Sequence, residues 1–369
     1  MKFTVVRESL LKPLQLAAGV VERRQTLPVL ANVLLSLEPG MLCITGTDLE
    51  VEIRGTLALE GLIEPGQITV PARKLLDICR SLPDGAVIGL STDTENRVRI
   101  QSGRSRFTLA TLPAEDFPEV DREPGRIEFP VNQGRLKRLL DQTAFAMAQQ
   151  DVRYYLNGML LEISAGRLRA VATDGHRLAL ADVAVDVAPA PEERIQAILP
   201  RKGVQELARL LGDNADAQIV IGTNHVRVEG ADYCLTTKLV DGAYPDYERV
   251  LPRNGDRIVE GDREMLRQAF YRAAILSNEK YRGVRLGLTP GMLTAVANNP
   301  EQERAEEEVS VAYEGDSLEV GFNVSYLLDV LNALPGARVR FCLADANSSV
   351  LLTNPDDGDS AYVIMPMRL

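Results

Sequence analysis

The sequence predicts an α+β protein of three repeated domains, each made of antiparallel sheets with two helices. Three observations lead there. One helical face is written three times, in 70–82, 199–211 and 322–334. Its apolar steps are Leu75, Ile78 and Leu82, then Val204, Leu207 and Leu211, then Leu327, Val330 and Leu334. Pro71, Pro200 and Asn323 open the copies at intervals of 129 and 123 residues, a period too long for a solenoid and suited to a domain. Between the copies, paired segments alternate apolar and polar residues across short Gly, Pro or Ser turns, as hairpins do. The implied domains are 1–125, 126–253 and 254–369.

Each third opens with a strand, at 3–6, 126–129 and 256–259, followed by an amphipathic helix at 8–21, 133–147 and 262–276. In the second of these helices Leu136, Leu139, Leu140, Phe145 and Met147 form the apolar side. Hairpins come next, at 32–37 with 41–46, 158–163 with 168–173, and 285–288 with 292–297. The repeated helix follows, and closing strands are expected at 107–112, 233–239 and 361–367. The two helices of each unit are then free to share one side of a sheet. Shorter echoes support the alignment. Thr47-Asp48-Leu49-Glu50 matches Thr173-Asp174-Gly175-His176, and Asp116-Phe117-Pro118 matches Ala243-Tyr244-Pro245.

With 369 residues, 45% hydrophobic and 25% charged, the chain has material for several cores, so disorder is excluded as its general state. Cys43, Cys79, Cys234 and Cys342 lie far apart in apolar stretches and read as buried small hydrophobes. With only two histidines, a His-rich metal site is excluded, and neither metal nor cofactor is expected. Arg7, Glu8, Lys12 and Pro13 interrupt the first apolar run before signal-peptide length, and no segment approaches a membrane span, so a cytoplasmic protein is expected.

A net charge of −11 argues against nucleic acid, but the charge is uneven. Acids exceed bases by 3, 1 and 7 in the successive thirds. The helices meanwhile carry cations opposite their apolar faces: Arg7 and Lys12, Arg73 and Arg80, Arg135 and Arg138, Arg201, Lys202 and Arg209, and Arg263, Arg267 and Arg272. Each helix alone reads as a solvated face. Together they suggest one basic surface on an otherwise acidic protein.

The segments Thr45-Gly46-Thr47-Asp48-Leu49-Glu50, Asp151-Val152-Arg153-Tyr154-Tyr155-Leu156-Asn157-Gly158, Ala172-Thr173-Asp174-Gly175-His176-Arg177-Leu178, Asn298-Asn299-Pro300-Glu301-Gln302 and Met365-Pro366-Met367-Arg368-Leu369 are specific in their order and spacing. Together they resemble the bacterial DNA sliding clamp family, the beta subunit of DNA polymerase III, over the whole chain. The resemblance implies three clamp domains and a ring-shaped head-to-tail homodimer around duplex DNA, with helices lining the hole. It implies a processivity factor with no bond chemistry. Its partners would be duplex DNA without sequence preference, a second copy of itself, the clamp loader, the replicative polymerase alpha subunit, and other polymerases and repair proteins carrying clamp-binding motifs. No membrane is implied.

By that resemblance Arg24, Arg73, Gln150, Tyr154 and Tyr155 touch DNA, although sheet-edge packing is an alternative use for the tyrosines. The resemblance also implies a peptide pocket of Leu156, Thr173, Gly175, His176, Arg177, Leu178, Pro245, Arg249, Val250, Ser349, Val363, Met365, Pro366, Met367 and Arg368. There the methionines would adapt to several ligands while Arg177 and Arg368 hold polar ends. A buried edge strand is the alternative for the terminal Met-Pro-Met. At the dimer contact, Lys74, Arg104 and Arg106 with Phe107 and Leu109 would face Ile275, Leu276, Glu301, Glu303, Glu306, Glu307 and Glu308. Arg304 stands where the family pattern leads one to expect an acid. Two rivals remain open: an enzyme using Asp174 and His176 as an acid–base pair, and a monomeric protein-binding scaffold that never encircles DNA.

Overall fold

The computed structural model describes residues 1–22, 27–61, 63–93, 97–118, 120, 124–164, 166–187, 194–212, 215–252 and 255–368. Two compact units emerge, and they cut across the sequence thirds. The first comprises Met1–Gly134 and Lys202–Leu239; the second comprises Arg135–Arg201 and Val240–Leu369.

The reason is strand pairing. In the first unit an eight-stranded antiparallel sheet runs in the order Gly66–Pro71, Asn32–Glu38, Met41–Thr47, Val51–Ala58, Tyr233–Lys238, His225–Glu229, Asp216–Ile221, Ile127–Asn132. Its centre joins the first third to the second, with Ile53 opposite Leu235. A four-stranded sheet of Lys2–Val6, Val87–Thr92, Arg97–Ser102 and Ser105–Ala110 completes this unit. The second unit has the same plan. Its eight strands run Ile195–Pro200, Gly158–Ser164, Arg167–Thr173, Arg177–Ala184, Asp357–Ile364, Val350–Asn354, Arg338–Leu343, Arg257–Asp262. Its four-stranded sheet is Arg304–Ser310, Met292–Asn298, Gly283–Thr289 and Leu318–Asn323. Each third therefore divides its strands between two sheets, and at least one of the two is shared with a neighbouring third.

The helices are α1 (Arg7–Gly19), α2 (Ala72–Ser81), α3 (Gln133–Asp141), α4 (Arg201–Leu210), α5 (Arg263–Ile275) and α6 (Val324–Ala333). The repeated apolar face is buried in all three copies, except that Ile78 is half-buried. α1 packs on α2 and on strands Met41–Thr47 and Val51–Ala58, and α5 packs on α6 and on Met292–Asn298 and Arg304–Ser310. The approach of α1 is set by two glycines. A Cβ on Gly46 would lie 2.0 Å from the Ala17 carbonyl oxygen, and one on Gly55 would lie 2.7 Å from Pro13 Cβ. α3 ends earlier than its apolar pattern, and Ala144–Ala146 form a separate 3-10 turn.

One device closes every repeat. The first residue of α1, α3 and α5 donates its backbone N–H to the loop after the repeat's second helix. The bonds are Arg7 to the Ala86 oxygen at 2.8 Å, Gln133 to Ala215 at 2.9 Å and Arg263 to Ala337 at 2.8 Å. The side chains reinforce it. Arg7 Nε donates to the Cys79 carbonyl at 2.8 Å, and Arg263 donates to the Gly336 and Leu331 carbonyls at 2.7 Å each. Gln133 Oε1 instead accepts from Gly212 N at 2.9 Å. A guanidinium at a helix C-terminus satisfies orphan carbonyls and complements the helix dipole. Arg7 and Arg263 are thereby removed from the basic surface expected of them.

The matched tetrapeptides fold identically. Thr47 Oγ1 donates to the Val51 carbonyl at 3.0 Å, and Asp48 Oδ1 accepts from the backbone N–H of Glu50 and Val51 at 2.9 and 2.7 Å. Thr173 and Asp174 make the same bonds to Arg177 and to His176 and Arg177. Gly175 takes φ +89° at the turn, and Leu49 is held at φ +79° in the other copy.

Gly46→Ala is expected to displace α1 and lower the first unit's unfolding free energy by about 1–3 kcal/mol. Thermal and urea unfolding should show the loss; an unchanged midpoint would mean that α1 is free to shift.

Candidate functional site

The expected pocket residues converge in the second unit around a cavity of about 170 Å³. It is lined by Arg153, Leu156, Thr173, Gly175, His176, Arg177, Leu178, Pro245, Tyr247, Val250, Val363 and Met365. Its floor is the pairing of Leu178 with Val363, 2% and 1% exposed, where strands of the second and third repeats meet. Met365 N donates to the His176 carbonyl at 2.9 Å, tying the terminal segment to the turn. Met365 and Val250 are 45% and 43% exposed, a soft apolar rim over a buried floor. Thr173 N donates to the Tyr244 hydroxyl at 3.1 Å, and burial pushes that phenol's pKa well up.

Several expected residues are not part of this cavity's lining. Arg249 is exposed and paired with Asp246 at 2.8 Å, and neither Ser349 nor Pro366 lines the cavity. Met367 N donates to the Gly321 carbonyl at 2.8 Å, so the terminal segment passes from the eight-stranded to the four-stranded sheet of this unit. Met367 and Arg368 then line a second cavity of about 420 Å³ with Asn278, Tyr281, Gly283, Arg285, Val296 and Asn298. Arg153 and Tyr247 complete the first cavity without having been expected. Tyr247 lies two residues beyond Pro245, and the turn Tyr247–Arg249 swings it inward.

Arg177 is held by bonds within the protein. Its Nε donates to Asp174 at 3.1 Å, Nη1 to Asp329 at 2.5 Å and Nη2 to the Phe145 carbonyl at 2.9 Å. Its guanidinium also lies over the rings of Tyr326 and Phe145, at 4.4 and 5.2 Å. Within the cavity lining it acts as a strut, its donors committed to Asp174, Asp329 and the Phe145 carbonyl. Asp174 is likewise committed to two backbone N–H groups and to Arg177. That leaves it in no acid–base pair with the exposed His176, and the enzyme rival loses its geometry. Among the described residues, no cluster of three or more His, Cys, Asp or Glu is placed to hold a metal. No described helix is long and apolar enough to cross a membrane.

Of the expected DNA contacts, Arg24 lies outside the described residues. Arg73 is exposed on α2. In the second unit Gln150 is exposed at φ +55°, and Tyr154 is 55% exposed, edge-on to Tyr155 at 5.8 Å. Tyr155 is half-buried against the Leu160 and Val171 cluster, so one tyrosine is presented and the other anchors it. Asn157 closes this loop with two bonds to the Asp151 backbone at 2.9 Å each, and Arg153 holds the Asp151 carboxyl's pKa down at about 2. The helical cations are mostly engaged: Lys12 with Asp232, Lys202 with Glu22 and Asp48, Arg209 with Glu206, Arg267 with Glu264, Arg272 with Glu307, and Arg201 with the Met147 carbonyl. Arg73, Arg80 and Arg138 are exposed and make no ion pair among the described residues.

The expected interface residues fall on or beside two outermost strands, with Lys74 on α2 and Ile275 on α5. Ser105–Ala110 is the last strand of the first unit's four-stranded sheet, with Arg104 and Arg106 exposed and Phe107 and Leu109 half-buried on the core. Arg304–Ser310 is the last strand of the second unit's four-stranded sheet. Glu306 and Glu308 are exposed on it, Glu301 and Glu303 are exposed just before it, and Ile275 is 68% exposed on α5, which packs on this strand. Leu276 is half-buried, and Lys74 is exposed on α2. Glu307 pairs with Arg272, and Arg304 turns to Glu306 at 2.5 Å, so that strand partly neutralises its own arginine.

Models of the DNA polymerase III beta subunit match the chain throughout: the N-terminal domain over 1–121, the central domain over 130–246 and the C-terminal domain over 248–368. The beta sliding clamp of Pseudomonas aeruginosa is 60% identical over 370 residues, and that of Escherichia coli is 53% identical over 371, each pair covered completely. A crystal structure of the P. aeruginosa subunit superposes with a TM-score of 0.97 at 60% identity, and Caulobacter crescentus pol III beta with 0.91 at 43%, both covering 100% of each chain. Another P. aeruginosa sliding-clamp structure, bound to griselimycin, matches with a TM-score of 0.97.

Arg177→Met is expected to weaken binding at the 170 Å³ cavity. It should also destabilise the second unit by about 1.5–3 kcal/mol, the range for hydrogen bonds to a charged group. Peptide titration alongside thermal unfolding tests this; full stability with full affinity would show that the strut is dispensable.

Proposed function

The chain belongs to the DNA polymerase III beta subunit family, and from that premise we propose that it works as a non-catalytic DNA sliding clamp. It would encircle duplex DNA as a head-to-tail homodimer in the bacterial cytoplasm and tether polymerases through the Met365 cavity. The observation that carries this reading is the match over every residue of relatives named as sliding clamps. The exposed strands add a physical route to closure. One outermost strand bears Arg106, with Arg104 in the turn that leads into it, and the other bears Glu306 and Glu308. An unpaired edge is a liability unless something covers it, and a heterologous contact between these two closes after two subunits when the rotation is a half turn. Ile275 against Phe107 and Leu109 would supply the apolar centre. Each exposed ion pair adds only about 0–1 kcal/mol and serves chiefly to select the partner edge.

On DNA the contacts are few and sequence-independent. Arg24 and Arg73 would meet phosphates, while Gln150 and Tyr154, supported by Tyr155, would touch the strand. Loose phosphate contacts average along the duplex and permit movement, while ring topology prevents escape. In the pocket, the buried Leu178 and Val363 would take a partner's apolar side chains while Met365 repacks. Clamp loader, replicative polymerase alpha subunit and other polymerases and repair proteins carrying clamp-binding motifs would compete for it.

Loaded onto closed circular DNA, the protein is expected to stay bound through a salt wash and to leave when the circle is cut. Retention that falls smoothly with salt and ignores linearisation would instead favour the scaffold reading. Deleting 365–369 should abolish partner-peptide binding and leave the dimer intact by light scattering; monomers would overturn the pocket assignment.

A further inference from the structure

The sheet register places two networks at equivalent points of the first and second repeats, and they have been filled differently. In the second repeat Glu162 faces Gln196 on one side and Arg169 on the other, and Arg169 faces Asp182. Tyr247, 4% exposed, plugs this face. Its hydroxyl donates to Glu162 at 2.9 Å and accepts from Arg169 at 3.2 Å, with the Arg169 guanidinium over its ring. Gln196 donates to Glu162 at 2.8 Å, and Asp182 holds Arg169 at 2.7 Å.

In the first repeat the same register pairs Ser36 with Gln67, Ser36 with Cys43 and Cys43 with Thr56. The glutamine bond survives, with Gln67 donating to Ser36 Oγ at 3.0 Å. Every other member is shorter: Ser36 for Glu162, Cys43 for Arg169 and Thr56 for Asp182. By the matched Phe117-Pro118 and Tyr244-Pro245, Val120 stands for Tyr247. The result is an open cleft of about 380 Å³. That volume lies within the roughly 300–1,000 Å³ range of ligand pockets. Leu34, Phe117, Pro118 and Val120 give it an apolar wall; Ser36, Gln67, Glu52 and Arg54 give it polar groups.

We propose that this cleft receives a tyrosine side chain from a partner polypeptide, in the place where the second repeat seats its own Tyr247. The internal copy shows what the face accepts: a buried ring under a guanidinium, with its hydroxyl directed at strand side chains. Shortening four side chains while keeping the glutamine removes the plug and retains a hydrogen-bonding group. Glu52 and Arg54, which replace Leu178 and Leu180 of the second repeat and lie 3.9 Å from each other, make this part of the cleft polar.

The test uses the full-length, methyl-labelled protein and N-acetyl-tyrosinamide as probe. Saturable shifts are expected at Val120 and Leu34, with N-acetyl-phenylalaninamide weaker by about fivefold, the worth of one ordinary hydrogen bond. Val120→Tyr should abolish the response by restoring the plug. Ser36→Ala, which removes the hydroxyl standing at the place of Glu162, should reduce it toward that of the phenylalanine probe with the remaining methyl spectrum unchanged, guarding against misfolding of the first variant. No saturable shift up to the probe's solubility, equal binding of the two probes, or an undiminished response in both variants would overturn the assignment.

Discussion

Backbone pairing between repeats is the constraint from which the rest of the structure follows. Val51–Ala58 pairs with Tyr233–Lys238, and Arg177–Ala184 pairs with Asp357–Ile364, each ladder uniting strands from neighbouring thirds. Two covalently consecutive domains are thereby fused into continuous sheets. The pocket depends directly on this. Its floor sets Leu178 against Val363, and a slip of one residue in either strand would turn that strand's member of the pair to the opposite face. Arg177, at the start of the same strand, then fixes the turn above the floor by binding α6 through Asp329.

Much of this was legible in the sequence. Helical faces announce themselves by period, and Leu75, Val204 and Leu327 are fully buried as their spacing requires. Hairpins were legible too, since both strands and their turn are contiguous. The merging of thirds was not, because a strand's outer partner is written nowhere near it. Arg7 and Arg263 illustrate the same limit. A helix-opening arginine that caps a distant helix and one that faces solvent look alike until the carbonyl of Cys79 or Leu331 is located. In the pocket, the residues around Thr173, Pro245 and Val363 were readable through family likeness. Met367 and Arg368 were placed too simply, because the terminal segment changes sheets after Met365.

The repeats also show how one scaffold acquires different surfaces. Their turns at Thr47 and Thr173 keep the same hydrogen bonds, so the backbone template is shared. Side chains on the template vary as groups. The Glu162, Arg169, Asp182 and Tyr247 network is complete in one copy and absent as a whole in the other. A half-made network would leave buried charge without a partner, at several kcal/mol, so such sites tend to change together or not at all.

The fused sheets bear on the order of synthesis. Arg7 can reach the Ala86 carbonyl once the first helices and strands have emerged, so the first repeat can close early. Its strand Val51–Ala58, largely buried in the finished sheet, must then wait for Tyr233–Lys238. At about 5–20 residues per second, the wait is roughly 10–35 s, during which an unpaired strand edge stands open on the nascent chain. The architecture that makes the finished sheet continuous thus gives its first half a period of exposure in the cell, when a chaperone has most reason to be present.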